Sequence, residues 1–197
     1  SVFLCDNPWI YTKADHHFRL QYCRDGNPLL PAFNSQPTAN TNLTQPGPGL
    51  DEIMYDARFL RPNSKDAIGL RIYKNLDFLD PRVWYNRNVS VKGSPSAATI
   101  DGYDALRDGR TVYIAAVNTD GANSLGSNAY TNMYVLSYNE GADADTKNIF
   151  GQIIKNIHFN TNVSDLDEKT ELIRDSKRAA AVGTLIEAIR KYGQCPV

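Results

Sequence analysis

"DGYDALRDGRTVYIAAVN", Asp101 to Asn118, sets acids, arginines and two glycines just ahead of and around an apolar run of strand length. Two readings compete for it: a cluster of catalytic charges, or the trimming of a β-hairpin. The hairpin reading is the stronger one. Asp108-Gly109 is the dipeptide that a two-residue type I′ turn takes, because both central positions need positive φ. A turn there pairs Leu106 with Thr111, Ala105 with Val112, Asp104 with Tyr113 and Tyr103 with Ile114. It also sets Arg107 opposite Arg110, a like-charge pair that is mildly unfavourable. Asp108 softens that repulsion. The alternative use of the tip is that Arg107, Asp108 and Arg110 contact an acidic group on a neighbouring chain.

Working outward, "YTNMYVLSYN" downstream alternates as a further strand, with Met133, Val135 and Ser137 on one face and Tyr134, Leu136 and Tyr138 on the other. Upstream, "EIMYDARFL" and "AIGLRIYKN" alternate in the same way, and together these segments predict an antiparallel meander. Between the second of these and the hairpin, "LDPRVWYNRNV" places Asp80 to cap and Pro81 at the first position of a short helix that carries Val83 and Trp84 inward. "GADADTKNIFGQIIKNIHF" starts a second helix at Asp143 or Asp145. Its Ile149, Phe150, Ile153, Ile154 and Ile157 fall on one face, to lie across the sheet. A last helix opens near Ser164, which with Asp167 resembles a capping box, and carries apolar residues from Leu172 to Tyr192 with Gly183 in its middle. The fold class expected is therefore α+β: an antiparallel sheet covered by amphipathic helices.

The first 50 residues read differently, being rich in Pro, Asn, Thr and Gly; only "HFRLQYC", His17 to Cys23, has a strand pattern. The organisation expected is a loop-rich segment over residues 1–50 packed on the core, a sheet-and-helix core over 51–162, and a C-terminal helical appendage over 163–197. Cys5 and Cys23 bracket a short polar stretch. They either close a disulfide, worth about 3 kcal/mol for such a loop, or stay as two buried thiols. The bridge requires an oxidising compartment. Cys195 is then left free or pairs outside the chain.

Lys and Arg number 21 against 22 Asp and Glu over 197 residues, so no net field draws the chain to nucleic acid. No apolar stretch approaches the roughly 20 residues of a membrane span. The start "SVFLCDNPW", without Met or a signal-length run, reads as a mature or excised segment.

The residues that bear chemistry mostly have structural readings. Asp15-His16-His17 is the one histidine cluster, but neighbours on a strand point to opposite faces and chelate poorly. His158 ends an amphipathic helix, where it meets the carbonyl end of the dipole. "GSPS" at residues 93–96 lacks the second glycine of a nucleophile elbow, and Asp143 and Asp145 lack the glycine and distal Glu of an EF-hand loop. Asp101, Asp104 and Asp108 lie among Arg107 and Arg110, where salt bridging accounts for them. No catalytic residues, metal or cofactor are assigned. Asn42, Asn88 and Asn162 head glycosylation sequons, and eleven tyrosines suit either a packed sheet or an extracellular contact face.

Several of these stretches, "SKDAIGLRIYKN", "VWYNRNV", "GSPSAATIDGYDALRDGRTVYIAAVN" and "YTNMYVLSYNEGADADTKNIFGQIIKNIHFNTN", with the leading "CDNPW" and "LQYCRDG", together resemble a recurrent domain of large cell-surface proteins of the candidate phyla radiation, the Patescibacteria. The strand, hairpin, strand and helix order is similar to the antiparallel sheets of the PsbP/Mog1 group. "RDSKRAAAVGTLIEAIRKYGQCP" resembles the soluble half of a pilin helix, without the apolar membrane half and with Cys195 where the pattern has Tyr. These resemblances imply an extracellular or cell-surface, non-enzymatic module that binds protein or glycan partners, with self-assembly as a further property. A pilin-like filament subunit is the first alternative. A hydrolase of cell-wall or glycan material using Asp104, Asp108 and His158 is the second.

Overall fold

The computed structural model describes residues 4–39, 52–119 and 129–193. In chain order the elements are β1 (Pro8–Lys13), β2 (Phe18–Cys23), β3 (Thr38–Ala39), β4 (Ile53–Leu60), β5 (Ala67–Lys74), α1 (Pro81–Asn88), β6 (Ser96–Ile100), β7 (Tyr103–Asp108), β8 (Thr111–Thr119), β9 (Ala129–Tyr138), α2 (Ala144–Asn156), β10 (His158–Phe159) and α3 (Leu166–Gly193). A short 3-10 turn, Ala14–His16, joins the first two strands. Seven strands form one antiparallel sheet in the order β3-β4-β5-β9-β8-β7-β6, and β1-β2-β10 form a second, smaller one. The α+β class with its meander and C-terminal helix is as the sequence pattern implies.

Alternation along the strands gives the large sheet two apolar faces. Ile68, Leu70, Ile72, Ala105, Ile114, Tyr134 and Leu136 look toward the small sheet, where Trp9, Phe18, Leu20, Tyr22 and Phe159 meet them. Ile149, Phe150 and Ile153 of α2 close this layer as their spacing predicts. Leu106, Tyr113, Ala115 and Met133 look the other way, onto Leu79, Trp84 and Tyr85. Each Leu, Ile, Phe or Met among them, taken fully out of water, contributes about 1.5–3 kcal/mol.

The hairpin forms, but its turn sits one residue further along than Asp108-Gly109 implies. Asp108 pairs with Thr111, Arg107 with Val112, Leu106 with Tyr113 and Ala105 with Ile114. Gly109 and Arg110 are the central residues, and Gly109 alone of the two takes a positive φ, +55°. A leading glycine is the arrangement of a type II′ turn. The reason lies in Asp108, whose carboxylate is held by groups outside the hairpin, described below, and so ends a strand instead of entering the turn. Arg107 and Arg110 therefore do not face each other. Moving the turn by one residue changes the pairing by two, so every side chain keeps the face expected of it.

Helix starts follow the caps. Asp80 Oδ1 accepts from the backbone N–H of Arg82 (2.8 Å) and Val83 (3.0 Å), with Pro81 at the first position. Asp143, of the two aspartates considered, caps α2 through the Thr146 N–H at 2.8 Å. At α3 the cap is Asp165, not Ser164: its carboxylate accepts from the Asp167 N–H at 2.8 Å and its carbonyl from the Lys169 N–H. Asp165 directly precedes the first helical residue, which leaves Ser164 one position too early.

The N-terminal segment supplies β1 as well as the expected β2. Trp9 inserts between Tyr22 and Phe59 and donates its indole N–H to the Phe33 carbonyl at 2.7 Å, which ties down the run that follows β2. Cys5 and Cys23 are joined in a disulfide, with 5.6 Å between their Cα atoms.

Candidate functional site

Asp108 leaves the hairpin tip sideways. Its Oδ2 accepts from the Tyr85 hydroxyl of α1 at 2.6 Å and from the Gly93 N–H at 3.1 Å, and that same N–H also donates to the Tyr85 oxygen at 2.9 Å. Burial first, and the neighbouring Asp108 carboxylate second, push the Tyr85 hydroxyl above its ordinary pKa. Gly93 leaves room for this arrangement: a Cβ on it would lie 2.3 Å from Asp108 Oδ1 and would displace the carboxylate. Of the three residues of the tip, Asp108 is thus engaged within the chain. Arg107 donates to the Gly109 carbonyl at 3.2 Å, and Arg110 lies 3.4 Å from exposed Glu140. Both guanidinium groups stay at the surface, where a partner can reach them.

Beside β7, the edge strand β6 and the start of α1 flank a groove of about 450 Å³ lined by Asp80, Arg82, Ala97, Thr99, Asp104 and Leu106. Near the opposite edge of the sheet, Thr38, Asp56, Arg58 and Arg71 line another of about 510 Å³, within which Arg71 and Asp56 pair at 2.8 Å. Strand β6 is built from small residues, "SAATI", and its sequence carries none of the charges that commonly guard a sheet edge.

The remaining acids are engaged in ways that fix the fold. Asp101 accepts from the Phe159 N–H and from Lys169 Nζ, both at 2.7 Å, with His158 Nδ1 at 3.7 Å. Burial raises its pKa, but these donors outweigh burial and hold it below the usual carboxylate range. Asp104 pairs with Lys177 of α3 at 3.4 Å. Asp143 and Asp145 both face Arg61, which also lies 3.6 Å from Asp66. Asp66 in turn accepts from the Thr146 hydroxyl at 2.7 Å, so a cation already sits among these carboxylates.

The hydrolase residues are not brought together. Asp104 and Asp108 are four positions apart on β7 with different partners, while His158 lies on β10, paired with Arg19 of the other sheet. The histidine cluster is divided too. Asp15 pairs with Lys13 at 2.7 Å, the His16 ring packs on Tyr55 with its pKa lowered chiefly by burial, and His17 takes the left-handed conformation that ends the 3-10 turn. Among the described residues the one grouping with metal-ligand spacing is Cys5, Cys23 and Asp25, in which both sulfurs are spent on the disulfide. Asn88 closes α1 by donating to the Trp84 carbonyl, and Asn162 donates to Thr119. The Asn42 sequon and Cys195 lie outside the described residues.

The groove beside β6 was not visible in the sequence, since "SAATI" carries neither a charge pattern nor an apolar alternation. No helix among the described residues is long and apolar enough to cross a membrane. No family model, no curated protein and no solved structure matches the chain.

Proposed function

We propose that this chain is an extracytoplasmic binding and structural module of a bacterial cell-surface protein. The observation that carries the reading is the Cys5–Cys23 disulfide, a bond that persists in oxidising compartments and is rare in reducing ones. The resemblance of its strand and helix segments to a recurrent domain of patescibacterial surface proteins supports the same assignment. Partner contact falls to Arg107 and Arg110 at the hairpin tip, which are exposed, sit on a rigid sheet and carry the guanidinium geometry that grips carboxylates.

The test has two arms. Intact cells of the source organism are probed with antibody, and envelope proteins and arrayed acidic glycans with the labelled domain. Surface staining without permeabilisation, and binding that falls at least tenfold in the Arg107→Glu/Arg110→Glu variant, are the expected results. Staining that needs permeabilised cells, or binding indifferent to both substitutions, overturns the reading.

A further inference from the structure

The first half of helix α3 turns Leu172 and Ile173 to the core, but its C-terminal half is inside out. There the side toward the body is small and polar: Gly183 meets the carbonyls of Asp77 and Phe78, the Thr184 hydroxyl donates to Asp80 Oδ2 at 2.7 Å, and Arg190 reaches Asp77 at 3.7 Å. The side toward solvent is apolar. Val182, Leu185, Ile186, Ile189 and Tyr192 are 57%, 60%, 44%, 61% and 84% exposed. A surface helix ordinarily turns its apolar stripe to the core and its charges to water. Here the last three turns do the reverse.

The stripe has the spacing of a helix-pairing seam. Val182, Leu185, Ile189 and Tyr192 follow one another at intervals of three, four and three, the a and d positions of a heptad. Ala181 and Ala188 flank the seam with small side chains that let a second helix come close, and the charged residues of this stretch, Glu187, Arg190 and Lys191, lie off it. The five side chains expose roughly 500 Å² per chain, so a symmetric pair buries up to roughly 1,000 Å², the size of a weak but specific interface.

We infer that this face of α3 is covered by the same face of a second copy of the chain, the two helices running antiparallel. The distribution of charge along the helix selects that arrangement. The stripe is confined to the last three turns, while the outer side of the first half carries Arg174, Asp175 and Arg178. A parallel pair lays those charged halves against each other along the whole helix. An antiparallel pair centred near Glu187 overlaps only the apolar turns, sets Val182 against Tyr192 and Leu185 against Ile189, and opposes the two helix dipoles favourably. The contact is isologous, so it closes at two copies instead of propagating. The inference stands independently of the surface-module reading.

Light scattering on the purified chain, from micromolar to millimolar concentration, reads this directly. A mass rising to twice 22.0 kDa is expected, as is loss of the dimer in Leu185→Asp/Ile189→Asp with circular dichroism, and melting at concentrations where both chains are monomeric, unchanged, because both residues are exposed in the single chain. In a Cys195→Ser background, oxidation of mixed Leu185→Cys and Ile189→Cys chains gives a cross-linked pair that neither variant gives alone. A monomer at every concentration, a dimer that survives the double aspartate variant, or cross-linking of Leu185→Cys with itself overturns the inference. So does growth into open filaments, or a monomer that instead co-sediments with lipid vesicles.

Discussion

Gly183 approaches the backbone carbonyl of Asp77 so closely that a Cβ built on it would lie 2.4 Å from that oxygen. Helix α3 is seated on the 77–80 loop by this absence of a side chain, together with the Thr184–Asp80 bond. In an isolated helix Ala is better than Gly by about 1 kcal/mol. Here the clash reverses the sign: Gly183→Ala is expected to destabilise by about 1–3 kcal/mol, with faster amide exchange across 181–192. An increase in urea midpoint would show that the contact does not constrain the helix.

Asp101 joins three elements: the β6–β7 turn it occupies, β10 through the Phe159 N–H, and α3 through Lys169. Asp101→Asn is expected to cost about 2 kcal/mol at neutral pH, the range for a hydrogen bond to a charged group. Its carboxyl is depressed in the folded chain, so the stabilisation is present above the unfolded value near pH 4 and is lost as pH falls through the lower folded value. Wild-type and Asp101→Asn stabilities should therefore converge in acid. Parallel curves down to the lowest pH at which the chain stays folded would refute the charge-based account.

The Cys5–Cys23 bridge closes a separation of 18 residues, for which chain entropy gives about 3 kcal/mol. Reduction, or Cys5→Ser/Cys23→Ser, is expected to lower stability by that order while leaving the far-UV spectrum of the large sheet in place. Thiol titration of the unfolded, unreduced chain should find one reactive cysteine of the three. Three reactive thiols in protein recovered from its native compartment would show that the pair stays reduced there.

Tyr85→Phe removes a hydroxyl that donates to Asp108 and accepts from Gly93. A loss of about 1–2 kcal/mol is expected. A double-mutant cycle with Asp108→Ala should give a coupling of about 1 kcal/mol, since the two side chains share one bond. Strict additivity would mean that the contact contributes nothing.

Period-two alternation made β4, β5 and β9 legible in the sequence, the Asp108-Gly109 dipeptide the β7–β8 hairpin, the Asp80-Pro81 start α1 and the i, i+3, i+4 spacing α2, because each of these signals lies within one short stretch. Strand β6 escaped because Ser96, Ala97 and Ala98 carry no burial signal, and β1 because it opens on Pro8, which a first strand position tolerates but a pattern search reads as loop. The position of the turn was missed because what fixes Asp108 is Tyr85, 23 residues away, and local turn chemistry has no access to that bond. Of the tip residues, Arg107 and Arg110 stay at the surface while Asp108 turns inward. The same kind of long-range contact, Gly183 on the 77–80 loop, explains why an apolar stripe that reads as core-facing ends up toward solvent.

The step of two in the β7–β8 pairing bears on how this chain can diversify. Because side chains return to the same side every second residue, the loop joining the two strands can change length freely as long as Asp108 stays opposite Thr111, whereas a slip of that pairing by one residue would turn one whole strand over. Natural variants should therefore differ in the length and sequence of that loop, with Gly93, Tyr85 and Asp108 as the fixed frame and the outermost positions free to be rewritten for new partners.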